Sequence, residues 1–307
     1  MDSGSSPSAT RIVVRQSCGY DAPIRGIAMA GWNRLISIGD DNKLRLHNPE
    51  TGRTLDSFEG FRRHVTAIRA LDDRYVLLIL GTHHALLDLD TGRLNEPESA
   101  DAGRSELAAL LTPAQLIAAP MLAPTTFAPP RDNAIVAEAK LDATHIVYVS
   151  ENRQRVSFDQ YFHVWNVPLA REIRSFWGVD SEALSLVALE GRRVLSSHED
   201  ELFRVWDVET TGQLSRIEHR CGKAGPMMLV GKSELLFAPV GPTEAQRLRY
   251  WHWKPSDRTL RLWDLEASTE LAVLQCEAPI IELARIDSHR FWARDERSWL
   301  HLIEVLR

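Results

Sequence analysis

FRVWDVETTG, residues 203–212, decides the fold. Its first three residues alternate apolar and polar, the period of a β-strand, and run into Trp206-Asp207. The Glu-Thr-Thr-Gly that follows reads as a hairpin turn, with Gly212 expected to supply a positive φ. The same pattern recurs as FHVWNV at 162–167, LRLWDL at 260–265 and LRLHN at 44–48, the last with His47 in the Trp place. Weaker copies are ALLDLD at 85–90, with Leu87-Asp88, and HLIEV at 301–305, with Ile303-Glu304. Turns of the same kind follow several of them, PETG at 49–52 and DTG at 90–92. From position 47 to 87 is 40 residues, from 165 to 206 is 41, and from 263 to 303 is 40. The 78 residues between Leu87 and Trp165 equal two such intervals, which predicts a degenerate repeat anchored near Phe127 and a total of seven. The 57 residues between Trp206 and Trp263 are one interval plus an insertion of about 16.

Within the fifth repeat, runs of strand length fall at 183–188, 194–197, 203–207 and 214–218. A four-stranded antiparallel sheet made of these cannot bury both faces alone, whereas radial stacking gives each face a neighbour. Trp165, Trp206 and Trp263 are expected to fill the spaces between stacked sheets. A second register accompanies the first: Asp41, Asp159, Asp200 and Asp257 each precede an anchor by six residues, and Ser37 and Ser196 precede theirs by ten. In these features the chain, from about residue 11 to 307, resembles the WD-repeat family of β-propellers.

The resemblance implies an all-β, seven-bladed β-propeller of four-stranded antiparallel blades that docks protein or peptide partners on its loop face. The family's Gly-His pair is missing, Gly60-Phe61 being the nearest match. The His–Ser–Trp–Asp network that the resemblance implies is therefore expected to be incomplete in every blade. Repeats two, three and seven lack the Asp, with Gly81 and Arg297 at the second and seventh. The last strand, near Leu302, leaves no residues for a fourth, so the run 11–16 is expected to complete the final blade and close the ring.

Composition sets the remaining bounds. The 307 residues are 44% hydrophobic and 25% charged, which excludes wholesale disorder, collagen and coiled coil. A net charge of −6 offers no general basic field to nucleic acid or to a membrane. Cys18, Cys221 and Cys276 are odd in number and widely spaced, fitting reduced thiols in the cytoplasm. The most apolar stretch, 107–123, contains Pro113, Pro120, Thr112 and Gln115 and does not read as a membrane span. Residues 1–10 are polar and read as a disordered tail ahead of a single domain over 11–307.

Motifs for chemistry are sparse. Gly231-Lys232-Ser233 lacks the upstream glycine of a phosphate-binding loop, Pro226 standing there instead, and reads as a turn. His83-His84 point to opposite faces of a strand, and no HExxH or GxSxG occurs. Asp40-Asp41 and Asp72-Asp73 fall at turns, where Asp hydrogen-bonds its own backbone. No metal, cofactor or catalytic group is expected, and the protein reads as a non-enzymatic scaffold, monomeric by itself.

The insertion differs from these. Residues 240–256 gather Arg247, Arg249, Tyr250, Trp251, His252, Trp253 and Lys254 just before Asp257, the composition of protein-interface hot spots. Trp177, in the link before the fifth repeat, is expected on the same face. The proline-rich stretch 119–133 reads as a decayed repeat or a docking loop. Two alternatives stay open. One is an inhibitor or immunity-type protein that blocks a toxin or enzyme. The other is a propeller hydrolase or lyase, with a channel site on the inner strands near Ile27, Ile68, Leu186 and Ile281.

Overall fold

A computed structural model describes residues 10–119, 122, 133–152, 160–169, 171–178, 181–239 and 258–307. Among them the strands form six four-stranded antiparallel sheets, the blades of a β-propeller. Blade 1 is β2 (Ile24–Ala30), β3 (Arg34–Gly39), β4 (Leu44–His47) and β5 (Thr54–Phe58). Blade 2 is β6 (Ala67–Ala70), β7 (Tyr75–Leu80), β8 (His83–Asp88) and a two-residue β9 (Leu94–Asn95). Blade 3 is β10 (Asn133–Lys140), β11 (His145–Asn152), β12 (Gln160–Asn166) and β13 (Arg171–Trp177). Blade 4 is β14 (Ala183–Leu189), β15 (Arg193–His198), β16 (Leu202–Asp207) and β17 (Gln213–Glu218). Blade 5 is β18 (Ala224–Leu229), β19 (Glu234–Pro239), β20 (Thr259–Asp264) and β21 (Thr269–Gln275). Blade 6 joins β22 (Ile280–Arg285), β23 (Arg290–Asp295) and β24 (Leu300–Leu306) to β1 (Arg11–Cys18).

The expected count of seven is thus corrected to six. Among the described residues the stretch between Leu87 and Trp165 holds no extra blade, and Phe127 lies outside them. After β9 the chain forms α1 (Ala100–Ala109) and α2 (Pro113–Ala118). Thr112 caps α2: its hydroxyl accepts from the Gln115 amide, and the Gln115 side chain reaches back to the Thr112 amide. Length alone suggested two repeats, but this Thr-Pro-Ala-Gln start marks a helix.

The helices serve the ring. Blades 1 and 2, 3 and 4, 4 and 5, 5 and 6, and 6 and 1 each share a single apolar cluster. Between blades 2 and 3 there are two clusters instead, one holding Leu77 and Leu86 with Leu107 of α1 and Leu111 just after it, the other Ile146, Tyr148 and Trp165. Leu116 of α2 packs against both. The helical pair therefore wedges the seam where Trp165 would otherwise meet a neighbouring sheet.

The anchors behave as inter-blade cores. Trp165, Trp206 and Trp263 are buried, and Trp206 lies 5.1 Å from Phe162 and 5.9 Å from Phe176 of the preceding blade. The ladder between the third and fourth strands shifts register at His47, Trp165, Trp206 and Trp263. Such bulges twist the outer strand locally and re-aim a side chain. β1 pairs with β24 along its length, as the closure expectation required, and its own register break falls at Ile303, the sixth anchor. The first segment of the chain thus reproduces the geometry of a local fourth strand.

The Asp or Asn after each anchor has a turn to make. Asp207 Oδ1 accepts from the amides of Glu209 and Thr210 at 2.7 and 3.0 Å, and Asn48, Asp88 and Asp264 do the same in their blades. Gly52 and Gly92 take the positive φ expected of them, at 62° and 68°. In the 209–212 turn Thr211, at φ 63°, holds that conformation, not Gly212.

Candidate functional site

In each blade the turn from second to third strand and the link to the next blade lie at the same end of the sheet. This loop face carries the α1–α2 insertion, the end of β13 and the β23–β24 turn. The ends of β19 and β20, between which residues 240–257 run, also lie there. Arg247, Arg249, Tyr250, Trp251, His252, Trp253 and Lys254 lie outside the described residues, as do Asp159 and Asp257. Trp177 closes β13 with 48% of its surface exposed.

Two residues of this face to which the sequence assigned no binding role, Trp299 and Arg297, stand in the β23–β24 turn. Trp299 is 46% exposed, its ring against the backbone of Gly19. Arg297 is exposed and makes no ion pair among the described residues. Both line a cavity of about 420 Å³ at the seam of blades 5 and 6, with Val14, Ser17, Ile280 and His301.

A polar row lies beneath the face. Two residues before the anchor, the third strand carries Arg45, His163, Arg204, Arg261 and His301 in blades 1, 3, 4, 5 and 6, each paired with an acid. The spacing of Asp41 and Asp200 is explained by this row: they pair with Arg45 and Arg204, which holds both carboxyls below the usual range despite the opposing effect of burial. The signal was present in the quoted motifs, LRLH, FHVW, FRVW and LRLW, as a basic residue at one fixed place.

The hydroxyl–anchor pairs hold. Ser196 Oγ accepts from Trp206 Nε1 at 2.8 Å, and Ser37 Oγ meets His47 Nε2 at 2.7 Å. A histidine does join the blade 4 pair, supplied from within β15: His198 Nε2 is 2.7 Å from Ser196 Oγ, and its Nδ1 is 2.9 Å from the Ser181 carbonyl. The network still lacks its acid, since Asp200 is engaged with Arg204. Burial pushes both His47 and His198 down to about 4, so the rings are neutral at pH 7.

On the innermost strands, Arg69 of β6 pairs with Glu138 of β10, bridging the helix-wedged seam. Glu282 of β22 pairs with Arg294 at 2.8 Å and accepts from the Ile27 amide at 3.1 Å; burial raises its pKa, the arginine opposing. Ile27 and Leu186 are buried and Ile281 is partly exposed. At the opposite mouth a cavity of about 780 Å³ is rimmed by Lys140, Lys232 and Arg285 with Glu190 and Asp287.

Lys232 and Ser233 sit in the β18–β19 turn with no helix after them, and Lys232 Nζ is 3.6 Å from Glu190. Buried His84 is pushed to about 4 by desolvation, the charge of Arg104 adding to it. No group of three His, Cys, Asp or Glu side chains among the described residues could hold a metal ion. Among the same residues, no helix is long and apolar enough to cross a membrane. Compared with known proteins, the chain matches no family model and no curated protein sequence.

Proposed function

We propose that this propeller is a scaffold of WD-repeat type that docks a partner protein or peptide on its loop face. The observation that carries the reading is that half-exposed Trp177 of blade 3 and Trp299 of blade 6 both stand on that face, the latter beside Arg297, which makes no ion pair among the described residues. The strand ends that flank the Arg- and Trp-rich segment 240–257 stand on it as well. Aromatic and arginine side chains on a rigid frame are the composition of binding hot spots and lose little freedom on docking. The partner would offer an apolar anchor flanked by carboxylates.

Binding is favoured over catalysis in the channel because the inner-strand acids Glu138 and Glu282 are each engaged by an arginine. The three cysteines, which form no disulfide among the described residues, support a cytoplasmic setting, and the protein would act there as a monomer.

The test is affinity capture from the native source with the parent chain and with the Arg249→Ala, Trp251→Ala, Trp253→Ala triple variant. The expected result is loss of the captured partner with an unchanged thermal melt. Equal capture by both proteins would overturn the proposal.

A further inference from the structure

Ser17 of β1 stands directly opposite His301 of β24, and its hydroxyl lies 2.8 Å from His301 Nδ1. On the other side of the ring, His301 Nε2 lies 3.1 Å from Asp295 Oδ2. Asp295 is 2% exposed, and its second oxygen accepts from the Trp299 amide at 2.8 Å, which fixes the carboxylate. One tautomer satisfies every contact: Nε2–H donates to Asp295 and Nδ1 accepts the serine proton. This is the order hydroxyl, imidazole, buried carboxylate that activates a serine nucleophile, recognised by geometry and not by sequence position.

Ser–His contacts occur elsewhere, at Ser37–His47, Ser150–His163, Ser196–His198 and the adjacent Ser288–His289. In the first three the serine is fully buried, where no substrate can reach it, and exposed His289 makes no ion pair with an acid among the described residues. Ser17 is exposed and lines the cavity of about 420 Å³, whose apolar wall includes Val14, Ile280 and Trp299. Arg297, whose guanidinium makes no ion pair among the described residues, lines the same cavity, a cation available to a developing oxyanion.

We propose that Ser17 is the nucleophile of an esterolytic site on the rim of blade 6, acting on small esters with an apolar acyl group. The site shares Arg297 and Trp299 with the proposed docking face, but its chemistry does not depend on the scaffold reading. Ser17 Oγ adds to the ester carbonyl carbon while its proton passes to His301 Nδ1, and the oxyanion faces Arg297. The carbon–alkoxy bond then breaks, and the alkoxide takes the proton from Nδ1 and leaves as the alcohol. Water attacks the acyl-serine, giving a proton to Nδ1 that returns to Ser17 as the carboxylic acid departs. Ser17 and His301 are the catalytic residues; Asp295 is a positioning residue.

The experiment treats the full chain with a fluorophosphonate probe and, separately, with 4-nitrophenyl acetate. Peptide mapping is expected to place the phosphonyl group on Ser17, and Ser17→Ala to lower 4-nitrophenolate release by roughly tenfold or more, as does His301→Gln. Asp295→Asn is expected to slow the parent but not the residual rate of the Ser17→Ala protein, a non-additivity that mere structural loss would not produce. Ser17→Ala removes one exposed hydroxyl and keeps the thermal melt. Labelling of Ser17 no faster than that of the exposed Ser57, or unchanged by His301→Gln, would overturn the proposal.

Discussion

Trp292 Nε1 donates to the carbonyl of Pro49 at 2.8 Å, tying the second strand of blade 6 to the turn of blade 1 across 243 residues of chain. Trp292 is fully buried in the cluster shared by these two blades, so it serves this seam as Trp206 serves its own. Trp292→Phe, which keeps the ring and deletes the donor, should cost about 1–2 kcal/mol. Trp292→Ala should cost about 3–5 kcal/mol through the cavity it leaves. Urea unfolding of the two variants measures both, and no loss in Trp292→Phe would show that packing alone holds the seam.

Gly52 lies in the same seam at φ 62°, and a Cβ there would fall 2.6 Å from Cys18 Sγ and 2.9 Å from the Trp292 ring. Gly212, in the turn of the same sequence type, meets nothing closer than Thr210 Oγ1 at 3.5 Å. Gly52→Ala should therefore destabilise by about 2 kcal/mol or more, whereas Gly212→Ala should stay within about 0.5 kcal/mol of the parent. Thermal melts of the pair distinguish them.

Leu116 bridges the clusters on either side of the helix-wedged seam. Leu116→Ala should cost about 2–3 kcal/mol, a core truncation at a half-buried site. Hydrogen exchange should quicken in α2 and β12 and stay unchanged in blades 5 and 6. A uniform increase around the ring would mean that no local wedge exists.

Burial holds the His47 and His198 rings near 4 in the folded chain, against 6.5 ordinarily. The unfolded chain thus binds protons that the folded chain refuses between these values. Stability contributed by the neutral rings is fully present above about pH 6.5 and is lost as pH falls from there through about 4, by about 3 kcal/mol for each ring. Urea midpoints at about pH 7.5 and about pH 5 measure the slope, which His198→Gln should flatten. The same slope in parent and variant would sink the assignment.

Sequence spacing was reliable wherever an anchor residue is visible. The six quoted anchors, His47, Leu87, Trp165, Trp206, Trp263 and Ile303, each fall in or beside the third strand of its own blade, and the closing strand pairs where expected. Spacing failed between Leu87 and Trp165, because a count of residues cannot tell a fourfold hairpin from two helices of similar total length. The capping box at Thr112 was the local signal that could. Trp292 escaped notice since it sits on a second strand, outside the register of the repeat. Ser17, Asp295 and His301 could not be linked from the sequence at all, for their meeting depends on the pairing of the first strand with the last. The acid–base row was legible in part, one member in every quoted Trp or His motif, though its partners differ from blade to blade.

That pairing also dictates a timetable. Arg15 leaves the ribosome long before Glu304, its ion-pair partner 289 positions later. At roughly 5–20 residues per second, β1 waits on the order of tens of seconds with no strand to join. Blades 1 to 5 can each assemble as they emerge, while the sixth stays a three-strand edge until β1, made before all of them, returns to cover it. A chaperone that shields short apolar strands would find its substrate in that interval.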